Sequence, residues 1–569
     1  MKIEKLNEKI KKQFGDKFSL TETDDSIVVT GQSNDWNEIV KVCLASVDVK
    51  SGKHVVNDIK FGGEIPKMRL PKIQDKSLDG QKFDVVVIGG GISGTSILRE
   101  LSKWKINAIL LEKESDIAMQ ATGRNDGEVH PGVDLGKGSL KQKYVIKGNA
   151  MFDKLCADLD VPFKRVGQYA GFTQKQFKLL AKVFAWQRRV FCKVPNTRVV
   201  SKEELRKVEP ELSDKFEFAL YNPTAGCVCP YNLAIAYAEN AIDNGARVSL
   251  STAVLDMKVE NGKIQSIQTN RGVIYPDVVI NCGGVFAEEI ARMAGDRFYS
   301  IHPRRGTNSI LDKKANHLIK SIASIKVFEK SPNHTKGGGM LHTVHDNVLV
   351  GPNAVETFEK ENFATNAVDI KAVFDKQKNT APKLSERDII TYFTGVRAPT
   401  FEEDFVIEKG HKTKNLIHCA GIQSPGLTTA PAVALDVEKM AIEILREKKN
   451  VSQNTNFNPT RHAVPVLRDM SKEERAEMIA KNPDYGIIIC RCEEISKGEI
   501  IDALNLKLCV PTVDGIKKRL RPGMGRCQGG FCAPLVTKII ADFLGVPLEQ
   551  VQKGNDGSNL TFGSTKEVR

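Results

Sequence analysis

The sequence predicts an α/β protein organised on a doubly wound nucleotide-binding core. An antiparallel domain is inserted into that core, a small α/β module precedes it, and a small helical metal-binding domain follows. Three observations carry this. Phe83 to Lys113 reads as a buried strand, a tight glycine turn, a helix and a second strand ending in an acid. Asp277 to Gly284 is another buried apolar strand ending in glycines, so the chain returns to the same sheet after long intervening segments. Cys490, Cys492, Cys527 and Cys532 stand as two close pairs near the end of the chain, with Cys509 between them reading as a core thiol.

Residues 1–62 form the first unit. A charged amphipathic helix (Ile3 to Phe14) precedes alternating strands at Phe18 to Thr23 and Ile27 to Thr30, a helix around Trp36 to Ser46 and a strand at His54 to Ile59. The order resembles a BON-like domain, which implies docking; a plain N-terminal cap fits as well. Residues 63–82, with Pro66 and Pro71 among charges, read as a linker. The core occupies 83–448, with substrate-domain insertions at about 160–222 and 301–386. A second linker covers 449–484, the metal-binding domain 485–552 and a tail 553–569.

Within the core, Gly89, Gly91 and Gly94 supply a tight turn, close approach to a pyrophosphate and close helix–sheet contact, and the helix dipole favours the phosphate charge. Glu112, about twenty residues on, suits a ribose hydroxyl pair. The polar, Gly-rich run Ala121 to Gly132 presents backbone amides to a cofactor. Helices at Leu140 to Leu159 and Gln174 to Phe191 flank a strand at Gly167 to Phe172. Pro223 to Tyr231 is a turn whose Cys227 and Cys229 have no second pair nearby and read as structural. Gly283 and Gly284 approach the cofactor from the second side, and His302, Arg304, Arg305, Lys336 and His342 mark the second insertion as basic. After Gly395-Val396-Arg397, the run Gly421 to Pro431 opens a helix at Gly426-Leu427-Thr428, whose free amides and positive dipole end suit an electron-rich ring.

A chain of 569 residues exceeds one hydrophobic core. Its formal net charge of +13 is spread along the whole length, which argues against nucleic acid and leaves solubility, or an anionic small substrate drawn to a basic cleft, as the reading. The charged N-terminus has no apolar export segment, and no run approaches the roughly 20 apolar residues of a membrane span. The expectation is a cytoplasmic protein, held peripherally at the inner face of the membrane, if at all, by a partner.

These segments, in this order, resemble the FAD-dependent oxidoreductases of D-amino-acid-oxidase type. Within that family they are most similar to the anaerobic glycerol-3-phosphate dehydrogenase large subunit and L-2-hydroxyglutarate oxidoreductase group. The resemblance implies that Gly89, Gly91, Gly94 and Glu112 hold the ADP part of FAD. It places Thr122, Arg124 and Asn125 along the middle of the cofactor, with Gly283, Gly421 and Gly426 to Thr428 nearer the ring. One departure bears on substrate: glycerol-phosphate enzymes commonly carry a His-Ser-Gly-Ala-Arg-like run where this chain has His130-Pro131-Gly132-Val133-Asp134. The acid weakens the case for a phosphate-bearing substrate, and Gly138 to Lys141 looks equally like the 2-hydroxyglutarate relatives.

The cysteine spacings, one intervening residue in the first pair and four in the second, fit zinc poorly and a [2Fe–2S] cluster better, with a degenerate site as the remaining reading. The run resembles the bacterioferritin-associated-ferredoxin-like domain. Together the resemblances imply a dehydrogenase that oxidises a small anionic secondary alcohol, sn-glycerol 3-phosphate first and L-2-hydroxyglutarate or another 2-hydroxyacid second, and passes electrons through the cluster to a partner protein or quinone. An oxidase or a non-enzymatic iron–sulfur scaffold are the rivals. His130 is the candidate base and Arg397 the candidate anion clamp, with Lys336, Arg304 and Arg305 as further cations.

Overall fold

The computed structural model describes residues 3–326, 338–563 and 566. At its centre, strands Arg247–Ser249, Ala108–Leu111, Lys82–Ile88, Gly272–Asn281 and Leu416–Ala420 lie side by side in that order, all parallel. Val85, Val86 and Val87 are all fully buried, as a parallel strand covered on both faces requires. The pleat sends Val85 and Val87 to one core, beneath helices Ile92–Leu101, Pro230–Asp243 and Gly426–Arg446. It sends Val86 and Ile88 to the other, beneath the meander Val254–Glu260 and Lys263–Thr269.

The two inserted segments merge into one nine-stranded, mostly antiparallel sheet. Arg304–Leu311 pairs along its length with Ile389–Arg397, and Ile322–Ile325 joins Gln168–Phe172 in parallel, knitting the second insertion to the first. This sheet stands across the carboxyl ends of the central strands and closes a cleft against them.

The N-terminal unit is a helix, two strands, a helix and a strand, Ile3–Phe14, Phe18–Glu22, Ser26–Ser33, Trp36–Ala45 and His54–Phe61. Its first two strands pair antiparallel and the last joins in parallel. It packs on the core through Phe401, which completes its apolar cluster, and through Arg297, which reaches Asp58 at 2.6 Å. His54 lies 3.2 Å from Glu402 and 3.8 Å from Glu408. Burial alone depresses its pKa, but the two carboxylates outweigh this and raise it to about 9.

At the other end, the hairpin Ile488–Cys490 and Ile495–Ser496 packs with helices Lys497–Leu504, Val513–Leu520 and Ala533–Leu544. Ser496 and Glu499 form a reciprocal capping box at the first helix, satisfying two of its otherwise unpaired amides. The unit sits on the core beside helix Pro230–Asp243, where Asn232 donates to Lys518 O at 2.6 Å. Arg519 also meets buried Asp116 at 3.0 Å there. Among the described residues, no helix is long and apolar enough to cross a membrane.

Candidate functional site

A cavity of about 1190 Å³ runs along the carboxyl ends of the central strands, where ligands of open parallel sheets bind. Its shape at one end depends on two glycines. Gly89 has φ +109°, and a Cβ there would lie 2.4 Å from Cys282 O; a Cβ on Gly94 would lie 1.9 Å from Gly89 O. Only Gly fits either position without backbone movement. Gly91 borders the open space at the helix start, and Ile92 N donates to Thr122 Oγ1 at 2.9 Å. Glu112 is buried on the wall, accepting from Gly90 N at 2.6 Å and Glu114 N at 2.8 Å. Burial raises its pKa, against the pull of these two amides.

Arg124 and Asn125 also line the cavity, but Arg124 donates to Met119 O and lies 4.2 Å above Phe363, while Asn125 folds its own loop. Gly283, Gly426 and Leu427 face the cavity from the far side. Gly94, Gly421 and Thr428 are not on its wall. Gly94 and Gly421 (φ +68°) shape the backbone, and Thr428 accepts from His130 N at 2.8 Å. A tight glycine turn with a buried acid at one end and a helix start facing the cavity at the other fits a flavin dinucleotide.

A polar relay enters the same cavity. His130 Nδ1 lies 3.1 Å from Glu128 Oε1, and Gln168 Nε2 donates to that same oxygen at 2.7 Å. Asn222 donates to Gln168 Oε1 at 3.0 Å and Thr197 to Asn222 Oδ1 at 2.8 Å, both residues fully buried. An ionised Glu128 has no proton to give, so Nδ1 carries the hydrogen and Nε2 is left as the acceptor. Its present partner is Ser424 Oγ at 3.1 Å. Asp126 lies beside this relay, its pKa raised by burial and then by Glu128. Glu128 stands two residues before His130 in an extended run, on the same face; that spacing was the available sequence signal for it.

The basic candidates separate. Arg397 is on the wall, donating twice to Asn353 O at 3.2 Å, and among the described residues it forms no ion pair. Burial lowers its pKa and Asp126 opposes that fall. Arg304, opposite it in the sheet, is committed to Glu356 and Glu403. Arg305 is not at the site. The pleat turns it to the other face of the sheet, where it donates to Ala364 O, while Arg304, Gly306 and Asn308 face the cavity. Lys336 lies outside the described residues. Asp134, the departure noted above, is met by Lys326 at 3.4 Å.

In the C-terminal unit the two cysteine pairs converge crosswise. Cys492 Sγ lies 3.6 Å from Cys527 Sγ, and Cys490 pairs with Cys532. The hydrogen bond from Cys532, with backbone N–H groups of Gly523, Glu493 and Cys492, lowers the Cys490 pKa to about 6 against burial. Cys527 is lowered by the amides of Phe531 and Gly529. Among the described residues, no three metal-ligating side chains close on a single ion. Two separated thiol pairs ringed by amides fit a binuclear cluster with two sulfurs to each iron. Cys227 and Cys229 pack in an apolar cluster with Ile322, Leu341 and Val344.

Comparison with known proteins agrees with both sites. Residues 84–440 match the FAD dependent oxidoreductase family (DAO), and residues 488–542 match the BFD-like [2Fe-2S] binding domain. The chain is 39% identical over 486 residues to a glycerol 3-phosphate dehydrogenase of Caloramator mitchellensis, covering 85% of this chain and 99% of that one. It is 24% identical over 511 residues to the anaerobic glycerol-3-phosphate dehydrogenase subunit A1 of Haloferax volcanii, covering 80% and 82%. The fold is similar to that of the dithionite-reduced, FAD-bound L-alpha-glycerophosphate oxidase of Mycoplasma pneumoniae. The TM-score is 0.61 at 23% identity, over 67% of this chain and 98% of that one.

Proposed function

From the chain's membership of the FAD dependent oxidoreductase family, with a BFD-like [2Fe-2S] binding domain at its end, we propose a dehydrogenase that oxidises sn-glycerol 3-phosphate to dihydroxyacetone phosphate. The observation that carries this is one cavity wall bearing a half-buried guanidinium with no ion-pair partner among the described residues and an imidazole held at Nδ1 by a carboxylate. Arg397 binds the phosphate through its planar fork. Asp134 does not repel that anion, since Lys326 neutralises it. His130 Nε2 takes the hydroxyl proton, with the substrate hydroxyl replacing Ser424 Oγ as its donor, and Glu128 stabilises the imidazolium that results. When bound, FAD held at Gly89, Gly91, Gly94 and Glu112 would supply the hydride acceptor, and a [2Fe–2S] cluster held by Cys490, Cys492, Cys527 and Cys532 would supply single-electron transfer onward. The kinship with a protein named as a subunit supports an electron-accepting partner, through which the chain would reach a membrane surface.

Steady-state assays with an artificial one-electron acceptor test the substrate. Glycerol 3-phosphate should give the higher kcat/KM. A preference for L-2-hydroxyglutarate would replace the phosphate reading with a dicarboxylate one, and rapid peroxide release in air would replace the dehydrogenase with an oxidase.

A further inference from the structure

We propose that residues 65–69, the strap between the N-terminal module and the nucleotide fold, form the outer wall of the adenosine end of the FAD site and control how fast the cofactor leaves. Ile65, Pro66, Lys67 and Met68 lie on the cavity wall, which on the core side carries Glu112, Lys113 and Thr252. The match to the FAD dependent oxidoreductase family begins at residue 84, so this wall lies outside the matched segment.

The strap is pinned on both sides of the segment that faces the cavity. Upstream, Phe61 packs on Phe358 with ring centroids 5.0 Å apart. Downstream, Asn270 donates to Ile73 O at 2.8 Å and Arg271 pairs with Asp75 at 2.8 Å. Between these, Arg69 N donates to Glu361 at 2.8 Å, and its guanidinium lies 3.3 Å from Glu361 and 3.5 Å from Glu114. Lys113 bridges the same two acids at 2.5 and 2.8 Å. Glu114 in turn donates its N–H to Glu112 Oε1 at 2.8 Å, so the tether and the ribose-binding acid share one turn of chain. Ile65 is 51% exposed, an apolar side chain at the edge of a cavity that a purine face would cover.

An adenosine in this pocket leaves past the strap only when Arg69 releases its acids. Arg69 is 53% exposed, so salt screens this tether more than it screens the buried glycine cradle.

The test uses the full-length holoprotein and reads flavin release as the rise in flavin fluorescence after dilution, independently of turnover. Loss of one charge-assisted hydrogen-bond group in Arg69→Ala should speed release about tenfold, and Met68→Gly, which thins the wall but leaves the tether, several-fold. High salt should bring wild-type release toward the Arg69→Ala rate, with apoprotein melting unchanged by either substitution. Release within twofold of wild type in both variants overturns the proposal. So does a faster release matched by an equal fall in apoprotein melting temperature, which would mark a general loss of stability.

Discussion

Glu128→Gln isolates charge from geometry at the proposed base. The glutamine carbonyl can still accept from both His130 Nδ1 and Gln168 Nε2, as the single carboxylate oxygen does now. What disappears is the negative charge facing the imidazolium. At an effective dielectric of about 20, unit charges 3.1 Å apart interact by about 5 kcal/mol. His130 is 21% exposed and carries only part of a charge in the transition state, so less than half of this applies, about 2 kcal/mol. That corresponds to a roughly thirtyfold fall in kcat/KM. The acidic limb of the pH profile should move to lower pH, because the imidazolium is no longer favoured, and the flavin spectrum should be unchanged. A Glu128→Gln enzyme with wild-type kcat/KM and an unshifted limb would refute His130 as the base set by Glu128.

Arg397→Lys keeps a charge but loses the planar fork; KM for glycerol 3-phosphate should rise about tenfold or more with a smaller change in kcat, read from initial rates. Cys492→Ser should abolish the cluster's visible absorbance while anaerobic bleaching of the flavin by substrate persists. In Gly94→Ala, the added Cβ sits 1.9 Å from Gly89 O, so the turn must move and purification should yield protein largely free of flavin. His54 has a raised folded pKa, so its contribution to docking of the N-terminal module is complete below its unfolded value of 6.5 and is lost as pH rises through about 9. The window is worth on the order of 3 kcal/mol, and thermal melts at about pH 6 and about pH 10 should differ more in wild type than in His54→Gln.

The central sheet was legible in the sequence because Val85 to Val87 and Val278 to Ile280 are continuous apolar runs, the mark of strands buried on both faces. Gly89, Gly91 and Glu112 were legible because turn chemistry and the strand–turn–helix spacing are local. Arg305 was not, since a one-residue choice of face in a strand depends on which side the cavity lies, a tertiary fact. Gln168 and Ser424 went unread for a related reason. Their relay joins residues about 40 and 300 positions apart, and no local pattern announces it. Residues 63–82 read as linker because prolines and charges dominate. Their order comes from acids, Glu114 and Glu361, supplied by distant parts of the chain. The cysteine pairs were legible as a ligand set, while their crosswise convergence required the fold.

The most direct measurement is an anaerobic titration of the purified holoprotein with glycerol 3-phosphate, followed at flavin and cluster wavelengths and by electron paramagnetic resonance. Bleaching of the flavin together with a reduced-cluster signal is expected, as is loss of both responses in His130→Gln at matched times. A flavin that stays oxidised under excess glycerol 3-phosphate would contradict the proposed substrate, and a flavin that bleaches while the intact cluster stays oxidised would contradict the proposed exit for the electrons.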